Sequence, residues 1–305
     1  MIGAALRAEL AALLGDRIRF DAPLSRYTSL RVGGPAAAVA APADRWELAA
    51  LLRLCAARGL PHAVIGGGFN SLARDEGLAA LVIRLKHFRR LEERPGHRLR
   101  AEAGVSHSQV LNFCARRGLS GLEFAAGIPG TLGGWVAMNA GVPDRDLAQV
   151  LVEVEVQSPH GHRRVHLPRE RLVLRYRELR GLAPGSVILS ALLAVRPGDP
   201  TSVRCEIERR LSERASKQPL DVPSCGSVFK NPPGDYAGRL VESVGLKGHR
   251  VGGAQISPVH ANFIANLGSA RAADVLALIE HARSEVERAT GIHLEREVRI
   301  LGEDA

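Results

Sequence analysis

Between Gly127 and Gly134 the chain carries four glycines and a proline in eight residues, and this run restricts the fold more than any other. A glycine inside a helix costs about 1 kcal/mol relative to alanine. Gly127-Ile128-Pro129-Gly130-Thr131-Leu132-Gly133-Gly134 is therefore not expected as a comfortable helix interior. Backbone without side chains can approach a flat or phosphorylated ligand closely; a glycine-rich crossing between two domains is the alternative. A second run, Gly66-Gly67-Gly68-Phe69-Asn70-Ser71, follows a strand predicted over 61–65. Three successive glycines there let backbone N–H groups converge on an anion, with a plain turn as the alternative. The run lacks G-x-G-x-x-G spacing, and residues 72–77 have no helical apolar face, so a dinucleotide-binding Rossmann unit is disfavoured.

A third stretch, Pro223-Ser224-Cys225-Gly226-Ser227-Val228-Phe229-Lys230-Asn231-Pro232, has almost nothing to bury. It offers a hydroxyl at Ser227, a point charge at Lys230 and a paired donor and acceptor at Asn231. Prolines at both ends stiffen it. At 305 residues the chain exceeds the usual limit for one core, so two or three domains are expected. The net charge of +9 favours anionic partners. The charges are dispersed, however, and few aromatics accompany them, so a nucleic-acid platform has little support. Residues 1–14 read as a short amphipathic helix, not a signal peptide or membrane span. Cys55, Cys114, Cys205 and Cys225 lack metal-ligand spacing, which predicts reduced thiols in a cytosolic protein and no metal site.

Along the chain, residues 27–35 read as a strand entering a turn and 36–41 as a buried strand. Asp44 with Glu47 predicts a capped helix that stops at Gly59, and Ser106 with Gln109 predicts a second that ends at Gly118. Strands are predicted over 81–85, 99–104, 150–157 and 187–195, with the Val/Glu alternation of 150–157 implying a half-exposed face. Arg196 to Pro200 is the best linker. Beyond it, helices are predicted over 202–215, 238–244 and from a Ser269 cap to Gly291, with strands near 248–256 and 258–266. Residues 292–300 read as a strand with its charges toward water. On their own, Arg177 and His260 read as ordinary surface or core residues.

Five stretches in this order resemble one family over nearly the whole chain: YTSLRVGG, GGGFN, GLEFAAGIPGTLGGWVAMNAG, SKQPLDVPSCGSVFKNPPGDYAG and GHRVGGAQISPVHANF with the closing LEREVRILGE. The family is the UDP-N-acetylenolpyruvoylglucosamine reductases (MurB), flavoenzymes of peptidoglycan precursor synthesis. The compact middle region is similar to the shorter class, which lacks an inserted tyrosine-bearing substrate loop. The resemblance implies an α+β fold: a two-lobed FAD-binding domain of the vanillyl-alcohol-oxidase (PCMH) type over 1–85 and 86–198, then a smaller α+β substrate domain over 199–305. It implies FAD near Gly66, Gly67, Gly68, Phe69, Asn70 and Ser71, near Gly127, Ile128, Pro129, Gly130, Thr131, Gly133 and Gly134, and near Asn139.

It further implies that NADPH reduces FAD, which passes hydride to C3 of the enolpyruvyl ether of the UDP-sugar substrate. The implied catalytic residues are Ser227 as proton donor, Arg177 and Glu297. Arg214, Lys217, Lys230 and Asn231 are candidates for the UDP-sugar phosphates and hydroxyls, with His260 and Asn262 behind them. Three positions depart from the pattern. Phe69 stands where a serine is usual, Leu179 where a serine usually follows the Tyr-Arg pair, and Trp135 where a small residue follows Gly-Gly, either crowding the flavin or packing against it. Another flavin oxidase of the same fold, or a nucleic-acid-binding protein, are the competing readings. No motif speaks to oligomeric state.

Overall fold

The computed structural model describes residues 2–302. Helix α1 (Ala4–Leu14) leads into a four-stranded sheet in the order Ile18–Pro23, Pro35–Ala40, Leu78–Ile83, His62–Val64. The first pair is antiparallel and the other two are parallel. The parallel pairs need a crossover, and α2 (Arg45–Ala57) supplies one between Pro35–Ala40 and His62–Val64. Asp44 caps α2 as the sequence predicts, accepting from the amides of Trp46 and Glu47. Leu48, Leu51, Leu52 and Cys55 pack with α1 and the sheet. Residues 27–34 are not the expected strand: they form turns after a short helical turn at Leu24–Arg26.

A five-stranded antiparallel sheet follows, ordered Arg164–Pro168, Leu151–Gln157, Val187–Ala194, Arg98–Glu102, Leu91–Arg94. Helix α3 (His107–Arg117) covers it, its capping box of Ser106 and Gln109 intact and Gly118 in the left-handed conformation. The chain also forms α4 (Leu132–Ala137) through Gly133 and Gly134, against the expectation. Close packing explains it: a Cβ on Gly133 would lie 2.9 Å from the Ala103 Cβ, so glycine is what lets α4 lie on the sheet. The Val/Glu strand is less exposed than its alternation suggests, because Glu155 is buried beneath Arg45. The 196–200 segment is not slack. Arg196–Pro197 pairs with Leu119–Ser120, and Asp199 caps α5 (Pro200–Lys217). Val203 and Ile207 of α5 join the core beneath the five-stranded sheet.

The C-terminal sheet is antiparallel, ordered Ser224–Ser227, Phe263–Asn266, Ala254–Ile256, Arg250–Val251. It packs with α6 (Ala237–Ser243) and α7 (Ala272–Thr290). Ser269 is not the cap of α7. Its first amides, of Ala272 and Ala273, donate to the Asp75 carboxylate from the N-terminal region at 2.8 and 2.9 Å. The expected final strand shrinks to Arg299–Ile300, which pairs in parallel with Ser71–Leu72. These last contacts tie the C-terminal region to the glycine loop that precedes Leu72.

Candidate active site

Three segments far apart in sequence are bonded into one frame. Gly68 has φ +72, and a Cβ there would lie 2.2 Å from the Tyr27 carbonyl, so the turn demands glycine. Ser29 clamps it: its amide donates to the Gly68 carbonyl at 3.0 Å, and its hydroxyl faces the carbonyls of Gly68 and Ser224 at 3.0 and 2.6 Å. The 224–231 segment then runs beside the chain end, with the Glu297 amide donating to the Val228 carbonyl at 2.7 Å and the Lys230 amide to Glu295 at 2.8 Å. Asn70 closes the frame by donating to the Glu297 carbonyl at 3.1 Å. Its side chain is thus engaged by the protein. Ser29 lies within the YTSLRVGG stretch, and nothing local signals its role.

Arg177 reaches this frame from a hairpin, Val173–Arg175 paired with Glu178–Arg180. It occupies the left-handed region at φ +58, a conformation that costs a side-chain-bearing residue about 1–2 kcal/mol. Its Nε donates to Glu297 Oε1 at 2.9 Å, and its guanidinium lies 4.9 Å from the Tyr176 ring centroid. Both partners of the ion pair are largely buried. Burial pushes the Glu297 carboxyl above its ordinary range, outweighing the opposing pull of Arg177 and Lys230. Leu179 pairs across the hairpin with Leu174 and packs against the core, so Glu297 and Tyr176 orient Arg177 where the usual serine is missing.

Asn139 has a different task from the one implied by the resemblance. Its amide donates to Asp146 and to the Arg175 carbonyl at 2.9 and 3.0 Å, and its oxygen accepts from Ala148 N at 2.8 Å. The side chain braces the Arg177 hairpin, with both amide hydrogens and one bond to its oxygen committed within the protein. Asn262 also has a structural task. Buried, it accepts from Phe229 N at 2.9 Å and donates to Phe229 O at 2.8 Å, fixing the backbone between Ser227 and Lys230.

The two glycine runs meet. A Cβ on Gly66 would lie 2.6 Å from Thr131 Oγ1, and one on Gly67 would lie 3.6 Å from Gly130 Cα. Among the described residues, the amides of Gly66, Gly67, Gly68 and Phe69 find no backbone carbonyl. Open amides beside bare backbone fit a pyrophosphate and a flat ring system. The Phe69 ring folds back over Gly67 and remains 38% exposed, so anion contacts at that position fall to the backbone. Trp135 neither crowds nor lines this cleft. It is buried in the core, its indole N–H donating to the Ile128 carbonyl at 3.2 Å and so bracing Ile128, Pro129 and Gly130 from behind.

Arg214 abuts Gly127, where a Cβ would meet its Cδ at 2.6 Å. Burial, then the like charge of Arg177, draws its guanidinium below the ordinary value. A carboxylate partner for it is absent among the described residues. Lys230 pairs with Glu295. Asn231 accepts from the Ala237 amide at 3.0 Å at the start of α6, and with Tyr176, Arg177 and Tyr236 it lines a cavity of about 440 Å³. Nothing in the local sequence marks Tyr236 as a cavity residue. Lys217 is exposed and pairs with Glu213 on the surface of α5. His260 packs against Gly238 and Phe263 and accepts from Asn262 N at 3.2 Å; burial, then Lys247, holds its pKa down. Among the described residues no cluster of His, Cys, Asp and Glu is placed to hold a metal ion, and no helix is long and apolar enough to cross a membrane.

Comparisons with known proteins bear on this frame. The FAD binding domain profile matches residues 36–165, which defines the class: an α+β flavoprotein whose two glycine runs fall in or beside the cofactor domain. The profile of UDP-N-acetylenolpyruvoylglucosamine reductase, C-terminal domain, matches residues 218–301. UDP-N-acetylenolpyruvoylglucosamine reductase 2 of Symbiobacterium thermophilum is 46% identical over 287 residues, 94% of this chain and 92% of the relative. The reductase of Geotalea uraniireducens is 43% identical, covering 98% of both chains. The crystal structure of the enzyme (MurB) from Thermus caldophilus superposes with a TM-score of 0.80 at 36% identity, covering 93% of this chain and 99% of that one. This chain belongs to the UDP-N-acetylenolpyruvoylglucosamine reductase family.

Proposed function

We propose that this chain reduces the enolpyruvyl ether of UDP-N-acetylglucosamine-enolpyruvate to UDP-N-acetylmuramate, with NADPH as hydride donor, in peptidoglycan precursor synthesis. FAD bound at the glycine runs would supply the hydride relay from NADPH to C3 of the enolpyruvyl group. The protein's own task is the negative charge that then builds on C2 and its carboxylate. Arg177 meets that charge with its fixed fork of donors. Glu297, pushed by burial toward its neutral form, accepts from Arg177 on one oxygen and offers a proton from the other, so it does not oppose the charge. Ser227 gives C2 its proton. Its hydroxyl is committed to no protein partner among the described residues.

The observation that carries this reading is the 2.9 Å Arg177–Glu297 contact, built on backbone bonded to Val228, the residue after Ser227. Around it, residues Gly66–Ser71 and Gly127–Thr131 would hold FAD, while Arg214, Lys230 and Asn231 face the UDP-sugar, with His260 behind them against Phe263 and Asn262 and Lys217 on the surface of α5. The short 181–186 connection between the Arg177 hairpin and the Val187–Ala194 strand supports assignment of the chain to the shorter class. Its units are 1–85, 86–198 and 199–305, with α5 as the connecting helix, and its unpaired cysteines suit the cytoplasm.

Rapid-mixing kinetics test the assignment. Ser227→Ala is expected to leave flavin reduction by NADPH intact while slowing reoxidation by substrate about 10²–10⁴-fold. Equal loss in both half-reactions removes Ser227 from the proton-donor role. Purified protein without a flavin absorbance band, and unable to take up FAD, overturns the function itself.

A further inference from the structure

A second cavity, of about 360 Å³, lies where residues 119–124, the hairpin of Gly141–Val142 with Arg145–Asp146, and the first turns of α5 come together. It shares no lining residue with the cavity beside Arg177, yet the same hairpin serves both: Pro143 lines that one and Arg145 this one. The carboxylates here are already engaged by the chain. Glu123 accepts from Gly121 N at 2.8 Å, Asp199 from the Ser202 amide and hydroxyl at 2.8 and 2.9 Å, and Glu206 from Arg209 and Arg210 at 2.7 and 2.5 Å.

The arginines are not matched in the same way. Arg145 lies with its Cζ 5.4 Å from the Phe124 ring centroid, and its buried Nε has no hydrogen-bond partner. A buried donor left unmade is costly, and native proteins rarely tolerate one without a reason. Among the described residues neither Arg145 nor Arg196 is paired with a carboxylate, although both line the cavity. Two planar forks without acceptors call for an oxyanion, which can take several N–H groups at once. The formal charges of the lining limit its size: Arg145, Arg196 and Arg210 balance Glu123, Asp199 and Glu206. A polyanion would meet those carboxylates, whereas a single anionic group on a small body would not.

We propose that this cavity binds a small metabolite through one oxyanion group, a phosphate or a carboxylate, held by Arg145 and Arg196. The site is separate from the UDP-sugar cavity, so the melting measurement does not depend on the reductase reading. The holoenzyme is melted in potassium phosphate and, separately, in sodium acetate, with chloride at matched ionic strength as reference. At an anion concentration about ten times Kd, the midpoint is expected to rise by about 2–3 °C. The anion giving the larger rise identifies the group.

Arg145→Met, which keeps a side chain over Phe124, and Arg196→Gln, at an exposed position, should each abolish the rise while leaving basal turnover within about twofold. Arg196→Gln keeps the test intact if Arg145→Met fails to fold. The proposal is overturned if neither anion shifts the midpoint, or if the rise survives in the variants. It is equally overturned if the anion competes with the UDP-sugar with the same strength in all three proteins, which places it at Arg177 and Lys230 instead.

Discussion

Two arginine–glutamate pairs in this chain have the same chemistry and opposite consequences. In the first, Arg45 at the start of α2 grips Glu155 of the five-stranded sheet with both arms of its fork, at 2.9 and 2.8 Å, and Glu102 with its third nitrogen at 2.6 Å. The Ser190 hydroxyl adds a further bond to Glu155 at 2.7 Å. Burial pushes the Glu155 carboxyl up, but these donors outweigh it and hold it at about 2. In the second pair, Glu297 receives one N–H from Arg177, and burial wins, moving the carboxyl upward. The number of donors per carboxylate decides which effect prevails. A saturated carboxylate is a clasp, and an undersupplied one is kept near proton exchange.

Replacing each arginine should separate the roles, with the largest effect at the clasp. Arg45→Met leaves buried Glu102 without its cation and buried Glu155 with only Arg164, 3.5 Å away, and is expected to remove about 3–5 kcal/mol of stability in denaturant unfolding, with kcat per folded molecule nearly unchanged. Arg177→Met should do the reverse, slowing flavin reoxidation by substrate about 10²–10³-fold with a small change in unfolding midpoint. If both variants lose stability and catalysis together, the contrast fails.

The two carboxyls should also oppose each other in pH dependence. Glu155 has its pKa depressed from an ordinary value of about 4.3, so its contribution, about 3 kcal/mol, is complete above that value. It is lost as pH falls toward 2, and Glu155→Gln should flatten this acid limb in stability measured against pH. A smaller effect, about 1–3 kcal/mol, is expected for Asn262→Leu, which leaves the buried Phe229 amide and carbonyl unpaired; a rise in KM for the UDP-sugar should accompany it as the 227–231 backbone loosens. The smallest concerns Glu297, whose raised pKa gives the opposite sign. Its contribution is complete below the ordinary carboxyl value and fades as pH rises through the folded one. Glu297→Gln should therefore gain stability over the parent on the alkaline side, and an unchanged difference across pH would remove the undersupplied-carboxyl interpretation.

What the chain's residues determined alone lies within a few positions of each signal. Asp44, Ser106, Gly118 and Gly291 mark helix ends because caps and left-handed turns act over two to four residues. The glycine runs declared bare backbone, and the five motifs declared the family. Tertiary structure decided the rest. It gave the side chains of Asn139 and Asn262 bracing roles, sent Trp135 into the core, allowed a helix through Gly133, and brought Asp75 to the first amides of α7. Arg177 meets Glu297 across 120 positions, and Ser29 meets Ser224 across 195. Burial and donor count, which set what a carboxyl or an amide can do, arise from such contacts, and no local pattern in the sequence encodes them.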